Sequence, residues 1–284
     1  MRIDGAVLRE IRKHDQRLGL RHRIKGLAYE RCAEIPFIVQ QLQGRFGQRL
    51  KHLDIGSGGD SPLPTFLLRH SNWDVSCVDK CDWVDWQHRH AQKVMRGKPY
   101  KDRFRVIRED FLATALPAES FDVITNISVV EHFEGHLDVE AMRASARLLR
   151  PGGVYILTTP VNEGHFREFY VGKNVYGDRY QGEPVFYQRH YDLKSLDQRV
   201  IHPSGLRERQ RVFFGDYGFQ CFENLFQKPP RLIRTLYRWA QPHFARRYLT
   251  YNEFPASREN MRTNTASGVI VIMEKPLATK GTTG

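Results

Sequence analysis

Short apolar runs that alternate with helical stretches constrain the fold of this chain more than any other feature of its sequence. Between the runs lie helical patterns, one beginning at Thr65–His70 and one over Val139–Arg150 that ends in the helix-stopping letters RPGG. Such alternation indicates a mostly parallel sheet covered by helices on both faces. The runs that we expect to form strands are Arg49–Ile55, Trp73–Val78, Phe104–Ile107, Phe121–Asn126 and Val154–Thr158.

Additional segments precede and follow these runs. Residues 1–45 have the spacing of helices, whereas residues 161–207 are rich in glycine, tyrosine and histidine, with at most a short helix around Leu193–Val200. No repeat or low-complexity linker interrupts the chain. We therefore expect one domain over residues 1–284, made of a helical cap (1–45), a core (46–160) and a C-terminal part (161–284).

A pair of strands is predicted near the C-terminus, at Gly218–Phe226 and Gly268–Glu274. The insert between them, residues 228–260, has helical spacing that Pro242 breaks. With the five runs above, the pair predicts an α/β fold with a seven-stranded, mostly parallel sheet flanked by helices. N-terminal helices precede this sheet, and a helical insert precedes its last strand.

The chain carries a strong positive charge, since 44 Lys and Arg residues against 32 Asp and Glu residues give a net charge of +12. Such a surface attracts nucleic acid, an acidic membrane face or an anionic small molecule, and charge alone does not choose among them. A pair of well-solvated amphipathic helices is the simpler explanation. The excess gathers near both ends, in Arg9, Arg12, Lys13, Arg17, Arg21, Arg23 and Lys25 and in Lys228, Arg231, Arg234, Arg238, Arg246 and Arg247.

The sequence shows no sign of export or of membrane insertion. Its first twenty residues are interrupted by charges, and no stretch approaches the ~20 apolar residues that a membrane span needs. The four cysteines are too few and too scattered for a disulfide framework or a structural zinc site. We therefore expect a soluble, cytoplasmic protein with reduced thiols.

A glycine-rich turn, Leu53-Asp54-Ile55-Gly56-Ser57-Gly58-Gly59, ends the first predicted strand. Glycines there allow positive φ angles and let backbone N–H groups approach a ligand without an intervening Cβ. An ordinary turn between a strand and a helix would look similar. A nicotinamide-dinucleotide site would need a third glycine where Ser61 stands, and this departure counts against a dehydrogenase.

Two acidic residues follow the next two predicted strands. Asp79 closes the second strand, 25 residues after Asp54, where a carboxylate can accept both hydroxyls of a ribose. Asp110 closes the third strand beside Phe111, a position suited to an amine donor such as the adenine amino group. All these residues lie at carboxyl ends of strands, where open α/β sheets bind their ligands.

At this point the sequence resembles the class I S-adenosylmethionine-dependent methyltransferases of the small-molecule type, which implies a Rossmann-like fold. The resemblance runs from about Lys51 to Pro160. Five motifs in the family's order and spacing are far more specific than any one of them. They are LDIGSGG (53–59), VDK (78–80), REDF (108–111), FDVITNISVVEHF (121–133) and LLRPGGVYILTTP (148–160).

The resemblance implies roles for individual residues toward S-adenosylmethionine as the cofactor. The glycine turn would hold the methionine moiety, Asp79 the ribose, and Asp110 and Phe111 the adenine, while two residues at the end of the fourth strand would line the sulfonium side. Lys80 stands where the family often has an apolar residue over the adenine, so Cys81 or Trp83 is expected to replace it there. The cofactor-binding residues so predicted are Asp54, Gly56, Ser57, Gly58, Asp79, Lys80, Asp110, Phe111, Asn126 and Ser128.

Candidate catalytic residues follow the fourth strand. His132 is the first choice as a general base because an ordinary imidazole titrates near neutral pH, and Glu131 is its neighbour. The alternative is that His132 only packs beneath the cofactor loop. A metal site formed by Glu131, His132 and His136 is not expected, because Gly135 weakens the helix that would align them.

The acceptor is expected to bind between the N-terminal helices and residues 161–207. Aromatic side chains there suit sugar rings or flat acceptors, and basic groups suit carboxylates or phosphates. Alternatively, many of these tyrosines only cover the edge of the sheet. The substrate-binding residues so predicted are His165, Tyr170, Tyr187, Arg189, His190 and Tyr191.

The sequence thus predicts O-methylation of a polar or anionic small molecule or a saccharide. Within the insert, Leu232, Leu236 and Trp239 fall on one face with flanking arginines, a pattern typical of a helix lying on an anionic bilayer. Residues 228–250 could therefore bind the inner membrane face, and the acceptor would then be a lipid-linked surface glycan. The same helix could instead dock on its own protein or on a second subunit, and the oligomeric state is not indicated.

Two alternative functions would also use S-adenosylmethionine. An RNA methyltransferase would exploit the basic surface, but the NISV letters (126–129) replace the motif that base-amine methyltransferases carry there, and no RNA-binding appendage is present. This argues against nucleic acid as the partner. A non-catalytic partner subunit would not need the set of Asp54, Gly56, Gly58 and Asp79.

Overall fold

The computed structural model describes residues 1–162, 164–176, 179–230, 233, 237–253 and 266–277. Its helices are α1 (Gly5–Arg17), α2 (Leu20–Lys25), α3 (Arg31–Leu42), α4 (Leu63–His70), α5 (Trp86–Val94), α6 (Leu137–Leu148), α7 (Leu193–Leu196), α8 (His202–Ser204) and α9 (Gln241–Tyr248). Its strands are β1 (Lys51–Ile55), β2 (Asp74–Val78), β3 (Phe104–Ile107), β4 (Phe121–Ile127), β5 (Leu149–Thr159), β6 (Arg167–Val171), β7 (Val185–His190), β8 (Arg207–Asp216), β9 (Leu249–Asn252) and β10 (Ala266–Glu274).

One large sheet organises the chain, with the strand order β3-β2-β1-β4-β5-β10-β8-β9. Strands β1 to β5 are parallel to one another, and β10, β8 and β9 continue the sheet in antiparallel fashion. The α/β, Rossmann-like architecture predicted from the sequence is confirmed. All five predicted parallel strands are present, so their carboxyl ends meet at one edge of the sheet, which we call the rim.

The strand count is a correction, because the sheet has eight strands rather than seven. The additional strand, β9, lies inside the region expected to be a helical insert, residues 228–260. It pairs with β8 from Phe213↔Asn252 to Asp216↔Leu249. Four residues without a long apolar run give little local signal, and this strand forms because β8 offers it an edge.

A second correction concerns the partner of the last strand. Gly218–Phe226 is not a strand: Gly218 has φ +80°, and Phe222–Gln227 forms a π-helical turn. The strand beside β10 is β8, whose sequence RERQRVFFGD begins with charged residues. Ion pairs make that start compatible with a sheet, since Arg207 and Arg209 lie 3.6 and 3.3 Å from Glu274.

The described part of the insert contains a 3₁₀ turn, Arg238–Ala240, followed by α9. Pro242 does not break a helix, because it occupies the first turn of α9, where its missing N–H has no intrahelical partner in any case. Leu232 and Leu236, which the sequence placed on one helical face with Trp239, lie outside the described residues. That face is therefore not tested as a whole.

The N-terminal helices, which the sequence predicted as a cap over residues 1–45, pack into the main hydrophobic core. Ile11, Leu18, Ile35 and Phe37 are almost fully buried and pack with the sheet residues of one hydrophobic cluster. The buried hydroxyl of Tyr251 on β9 donates a 2.6 Å hydrogen bond to the carbonyl of Ala33. These contacts hold α3 across the rim, where its charged side chains enter the site described below.

Candidate active site

A cavity of about 1390 Å³ opens at the rim. Its walls come from the glycine-rich turn, the ends of β2 and β4, the start of α3, strand β7 and the end of β8. Small-molecule sites usually measure roughly 300–1,000 Å³, so this cavity has room for a donor and an acceptor together. The position agrees with the expectation that ligands bind outside the carboxyl ends of parallel strands.

The glycine-rich turn needs its glycines for two different reasons. Gly56 and Gly58 have φ angles of +65° and +58°, which side-chain-bearing residues rarely adopt. A Cβ on Gly56 would also come within 2.4 Å of the Val129 side chain, whereas one on Gly58 would meet no atom within 4 Å. Bare backbone thus lines the cavity here and lets a ligand approach closely, while the N–H groups of Gly56 and Gly58 donate to the Val78 carbonyl and to Asp79.

Asp79 lies at the end of β2 and lines the cavity as predicted. Its Oδ2 accepts a 2.9 Å hydrogen bond from the backbone N–H of Gly58, and its Oδ1 accepts one of 2.9 Å from that of Cys81. The indole N–H of Trp83 lies 3.4 Å from Oδ2. The carboxylate is half-buried and held against the glycine turn, and an ionised carboxylate retains lone pairs for further donors.

Asp54 lies beneath the same turn and is almost fully buried. It accepts a 2.5 Å hydrogen bond from Thr125 Oγ1, while Ser57 Oγ donates 2.9 Å to its backbone carbonyl. Burial raises the pKa of Asp54 to about 6. A cationic ligand at the rim would favour its ionised form.

The two residues predicted to bind adenine lie at the end of β3. Phe111 is buried and lines the cavity, while Asp110 is exposed and accepts a 2.9 Å hydrogen bond from the N–H of Leu112. Lys80 also lines the cavity. Trp83, one of the two residues expected to compensate for Lys80, lines it as well and is 38% exposed.

The two residues predicted at the end of β4 have different environments. Ser128 lines the cavity with φ +51°, and its N–H donates 3.0 Å to the carbonyl of Thr158. Asn126 is buried inside β4, where its Oδ1 accepts a 3.1 Å hydrogen bond from the N–H of Val130. Asn126 therefore shapes the turn that follows β4 and does not belong to the cavity lining.

Two charged residues of α3 were missed by the sequence reasoning. Arg31 pairs with Glu34 and donates a 2.8 Å hydrogen bond to Ser128 Oγ. Glu34 is buried and accepts hydrogen bonds from Ser128 Oγ and Thr158 Oγ1, at 2.8 and 2.7 Å. The available signal was a pair of opposite charges three residues apart at the start of an otherwise apolar helix.

His132 lies on a short 3₁₀ turn, Val130–His132, that follows β4. Its Nδ1 is 2.6 Å from the backbone carbonyl of Tyr187, and because a carbonyl can only accept, Nδ1 carries the proton. Its Nε2 is then the acceptor, and the hydroxyl of Tyr176 lies 3.3 Å from it. Burial lowers the pKa of His132 to about 4, so the imidazole is neutral at neutral pH.

Glu131 is buried beside this histidine, with its Oε1 3.9 Å from His132 Nε2. Thr159 Oγ1 donates a 3.2 Å hydrogen bond to the other carboxyl oxygen. Burial raises the pKa of Glu131 to about 8, so this carboxyl group is mostly protonated at neutral pH.

This raised pKa predicts a specific pH dependence of stability. Because the ordinary pKa of a glutamate is 4.5, the neutral folded form stabilises the protein fully below that pH, and the contribution is lost as the pH rises toward 8. Urea unfolding between pH 5.5 and 7.5 should therefore show the wild type losing stability relative to Glu131→Gln, by up to about 1.4 kcal/mol per pH unit. The exposed neighbour Glu134→Gln is the control, and parallel curves for the wild type and Glu131→Gln would contradict this assignment.

The predicted acceptor residues divide into three groups. Tyr187 and His190 on β7 line the cavity, together with Tyr176, which the sequence had not singled out as a site residue. Phe186 and Gln188 of the same strand line the cavity as well, so simple alternation along β7 does not account for which residues face it. His165 and Tyr170 are exposed around β6, outside the lining, and Arg189 and Tyr191 are fully buried.

Arg189 and Tyr191 instead form a buried clip around Asp138 of α6. Arg189 donates a 2.9 Å hydrogen bond to Asp138 and one of 2.7 Å to the carbonyl of Phe133, and Tyr191 donates 3.0 Å to the same carboxylate. Arg199 completes the clip with two 2.8 Å contacts to Asp138. The clip fixes β7 against the turn after β4, which places the Tyr187 carbonyl at His132.

Acidic residues are numerous on the acceptor side of the cavity within the described residues, but burial raises the pKa of Glu30 to about 7 and that of Glu131 to about 8, so these two carboxyl groups are largely or partly neutral at neutral pH. The lining there includes Glu30, Glu131, Glu134, Asp216 and Glu223. The arginine and lysine residues on the hairpin formed by β6 and β7, from which the sequence predicted an anionic acceptor, do not line this side of the cavity. Arg189 is bound within the clip, and the other described ones are exposed. No group of three or more His, Cys, Asp or Glu side chains in the described ranges could hold a metal ion.

Comparison with known proteins agrees with this geometry. A family model described as a methyltransferase domain matches residues 53–157, which span β1 to β5. A ubiquinone biosynthesis O-methyltransferase from Actinobacillus pleuropneumoniae serotype 7 is 29% identical over 128 residues, which is 44% of this chain and 51% of that protein. The chain thus spans about half the length of the curated relatives it matches.

Solved structures share the fold at low sequence identity. A geranyl diphosphate methyltransferase in complex with SAM has a TM-score of 0.52 and 13% identity, covering 86% of this chain and 85% of that one. The Burkholderia thailandensis 1,6-didemethyltoxoflavin-N1-methyltransferase has a TM-score of 0.51 and 12% identity, covering 86% and 79%. The rim cavity and the motifs agree with the family model, and residues 53–157 of this chain match a methyltransferase domain.

Proposed function

We propose that this chain transfers a methyl group from S-adenosylmethionine to a hydroxyl oxygen of a small polar acceptor. The observation that carries the proposal is that His132 presents an unprotonated Nε2 in the same cavity as Asp79 and the glycine turn. The curated relatives named as O-methyltransferases support transfer to oxygen, although the match covers half of their length.

The residues present fit the cofactor. Asp79 would accept the ribose hydroxyls, Asp110 the adenine amino group beside Phe111, and the bare backbone at Gly56 and Gly58 would receive the methionine portion. Arg31, together with Asp54 beneath the turn and Glu34 of α3, would then place charges of both signs around the methionine portion. When bound, the cofactor supplies an electrophilic methyl group on a positively charged sulfur.

His132 would act on the acceptor. Methyl transfer requires the acceptor oxygen to lie in line with the methyl group at about 3 Å, and a hydroxyl must lose its proton as the new bond forms. A positioned base contributes roughly 10²–10⁴-fold to such a step. The Tyr187 carbonyl holds the histidine in the tautomer that can accept this proton at Nε2.

Aromatic side chains would exclude water from the reacting groups. The rings of Tyr176 and Tyr187 are nearly parallel, with centroids 6.2 Å apart, and the ring of His132 lies 4.8 and 5.5 Å from them. Tyr176 also contacts Trp83 edge-to-face at 6.1 Å, on the side of Asp79. These contacts connect the expected donor side with the acceptor side, and a closed site strengthens every polar interaction inside it.

The described lining supports one acceptor class over another in our proposal. Aromatic rings with acidic side chains, two of them largely or partly neutral, favour a polar acceptor without negative charge, so the anionic acceptor is the less favoured form of our proposal. A neutral saccharide fits this lining. A lipid-linked glycan would in addition require the chain to bind a membrane, through residues 228–250 or another surface.

Calorimetry with S-adenosylhomocysteine tests the donor half of the proposal. We expect Asp79→Ala to weaken binding by about 100-fold, since two hydrogen bonds from hydroxyls to a charged group are lost. Asp82→Ala removes an exposed carboxylate three residues later and should bind like the wild type. Equal affinities of the wild type and Asp79→Ala would remove the ribose assignment.

Mass spectrometry with labelled donor tests the acceptor half. The panel should contain neutral sugars, sugar acids, phenols, glycolipids and RNA, and we expect a singly methylated product among the hydroxyl compounds. Product formation only with RNA would overturn the proposal in favour of an RNA methyltransferase. Tight binding of S-adenosylhomocysteine without any product across the panel would favour a non-catalytic partner subunit.

A further inference from the structure

An apolar surface patch lies where α2 meets the 3₁₀ turn Arg238–Ala240, which packs against it. Leu20 and Ile24 on α2 are 71% and 66% exposed, and Trp239 on the turn is 65% exposed. We call these three residues the Leu20–Trp239 patch. Large apolar side chains exposed on neighbouring elements mark interaction surfaces, because water contact with them is unfavourable.

Positive charge surrounds this patch. Residues 5–25, which contain α1 and α2, carry seven Lys and Arg residues against only Glu10 and the buried Asp15. Arg21 and Arg23 are exposed on α2 itself, between and beside the two apolar residues, and Asp60 offsets part of the charge by pairing with Arg21 at 3.3 Å and with Lys25 at 2.7 Å. Exposed apolar residues flanked by arginines match the chemistry of an anionic bilayer surface, which offers apolar tails and negative headgroups together.

Two other occupants fit less well. A symmetric contact with a second copy would bring Arg21 and Arg23 against the same residues of that copy, which like charges oppose. Nucleic acid is bound mainly through cationic and polar groups on phosphates, which leaves exposed leucine and isoleucine without a role. The patch and its charges therefore favour a lipid surface.

We propose that the Leu20–Trp239 patch docks the chain peripherally on an anionic lipid bilayer. No helix within the described residues is long and apolar enough to cross a membrane, so the docking is at the surface. Arg21, His22 and Lys25 of α2 also line the rim cavity, so the docked element borders the expected active site. The proposal goes beyond the proposed function and holds for any acceptor.

Co-sedimentation of the full chain with vesicles tests this proposal. The wild type should pellet with phosphatidylglycerol–phosphatidylcholine vesicles, and much less with phosphatidylcholine alone or at high salt. Leu20→Glu/Ile24→Glu should lower the fraction bound by about tenfold or more, because two apolar contacts are replaced by charges that the headgroups repel. Both changed residues are exposed, so the thermal midpoint and binding of S-adenosylhomocysteine should stay unchanged.

Leu277→Glu is the matched control. Leu277 is 72% exposed, and it lies beside Gly152 near the start of β5, at the end of the sheet opposite to the rim. This variant should pellet like the wild type. If Leu277→Glu lost vesicle binding to the same extent as Leu20→Glu/Ile24→Glu, the loss would reflect added negative charge in general, and the proposal would be overturned.

Three further results would overturn it. The wild type could stay in the supernatant with anionic vesicles, or Leu20→Glu/Ile24→Glu could pellet as the wild type does. Gel filtration could show a wild-type dimer that becomes a monomer in the double variant, which would assign the patch to a second copy. A labelled single-stranded RNA that binds the wild type and is released by the double variant would assign it to nucleic acid.

Discussion

Replacing His132 with glutamine is expected to lower kcat for methyl transfer by about 10²–10⁴-fold, the usual contribution of a positioned base. The structure gives the reason, because the Tyr187 carbonyl directs the proton to Nδ1 and leaves Nε2, which lies 3.3 Å from the Tyr176 hydroxyl, as the proton acceptor in the cavity. Single-turnover measurements with an acceptor from the mass-spectrometric panel should show the loss in the chemical step. Binding of S-adenosylhomocysteine should change little.

The pH profile of the rate and a control variant at a nearby histidine distinguish a catalytic role of His132 from a packing role. Since burial lowers the pKa of His132 to about 4, its neutral form persists at all higher pH values, and the wild-type rate should not fall through protonation of this group between pH 5 and 8. His136→Gln is the matched control, because His136 is exposed and lies outside the cavity lining. A His132→Gln enzyme with a normal kcat would leave this histidine a packing role only.

Arg189→Met is expected to destabilise the fold by about 3–5 kcal/mol, since it removes one partner of a fully buried ion pair. Asp138 would keep Arg199 and Tyr191, and the Gly135 carbonyl would keep Arg199, but the carbonyl of Phe133 would lose the hydrogen bond from Arg189. Urea unfolding at neutral pH measures this change. Because the clip fixes β7 against the His132 turn, any folded fraction should also show reduced kcat.

A role of Arg189 in substrate binding would give the opposite pattern. The sequence placed this arginine among the acceptor residues, and in that case Arg189→Met would raise KM and leave stability unchanged. Arg167→Met provides the comparison, because Arg167 is exposed on the same hairpin and its loss should change stability by less than about 0.5 kcal/mol. Equal stability of the two variants would rule out the clip as a structural element.

The sequence was most informative about the cofactor half of the molecule. The ends of β1 to β4 are specified locally, since a glycine turn, an acidic residue or a polar turn directly follows each apolar run. Parallel strands bring these ends to one rim in every such sheet, so the sequence position of Asp79 was enough to place it in the cavity.

The acceptor half could not be read from the sequence in the same way. Strand β8 was missed because its arginines look unlike a buried strand, and only their ion pairs with Glu274, Asp197 and Glu208 make it one. β9 was missed because a four-residue strand has almost no local signal. Arg31 and Glu34 gained their role from the docking of α3 over Ser128, a contact that spans 94 residues between Glu34 and Ser128.

The amino-acid sequence by itself determined the α/β architecture and predicted the cofactor and the region of the proposed base, because each prediction depends on residues close together along the chain. Only the tertiary structure decided which side chains face the cavity and which are buried in the clip. Arg189 and His190 are neighbours in sequence, yet one is buried against Asp138 and the other lines the cavity. The side of the strand to which a side chain points is set by the elements that pack on each face, and those elements lie far away in sequence.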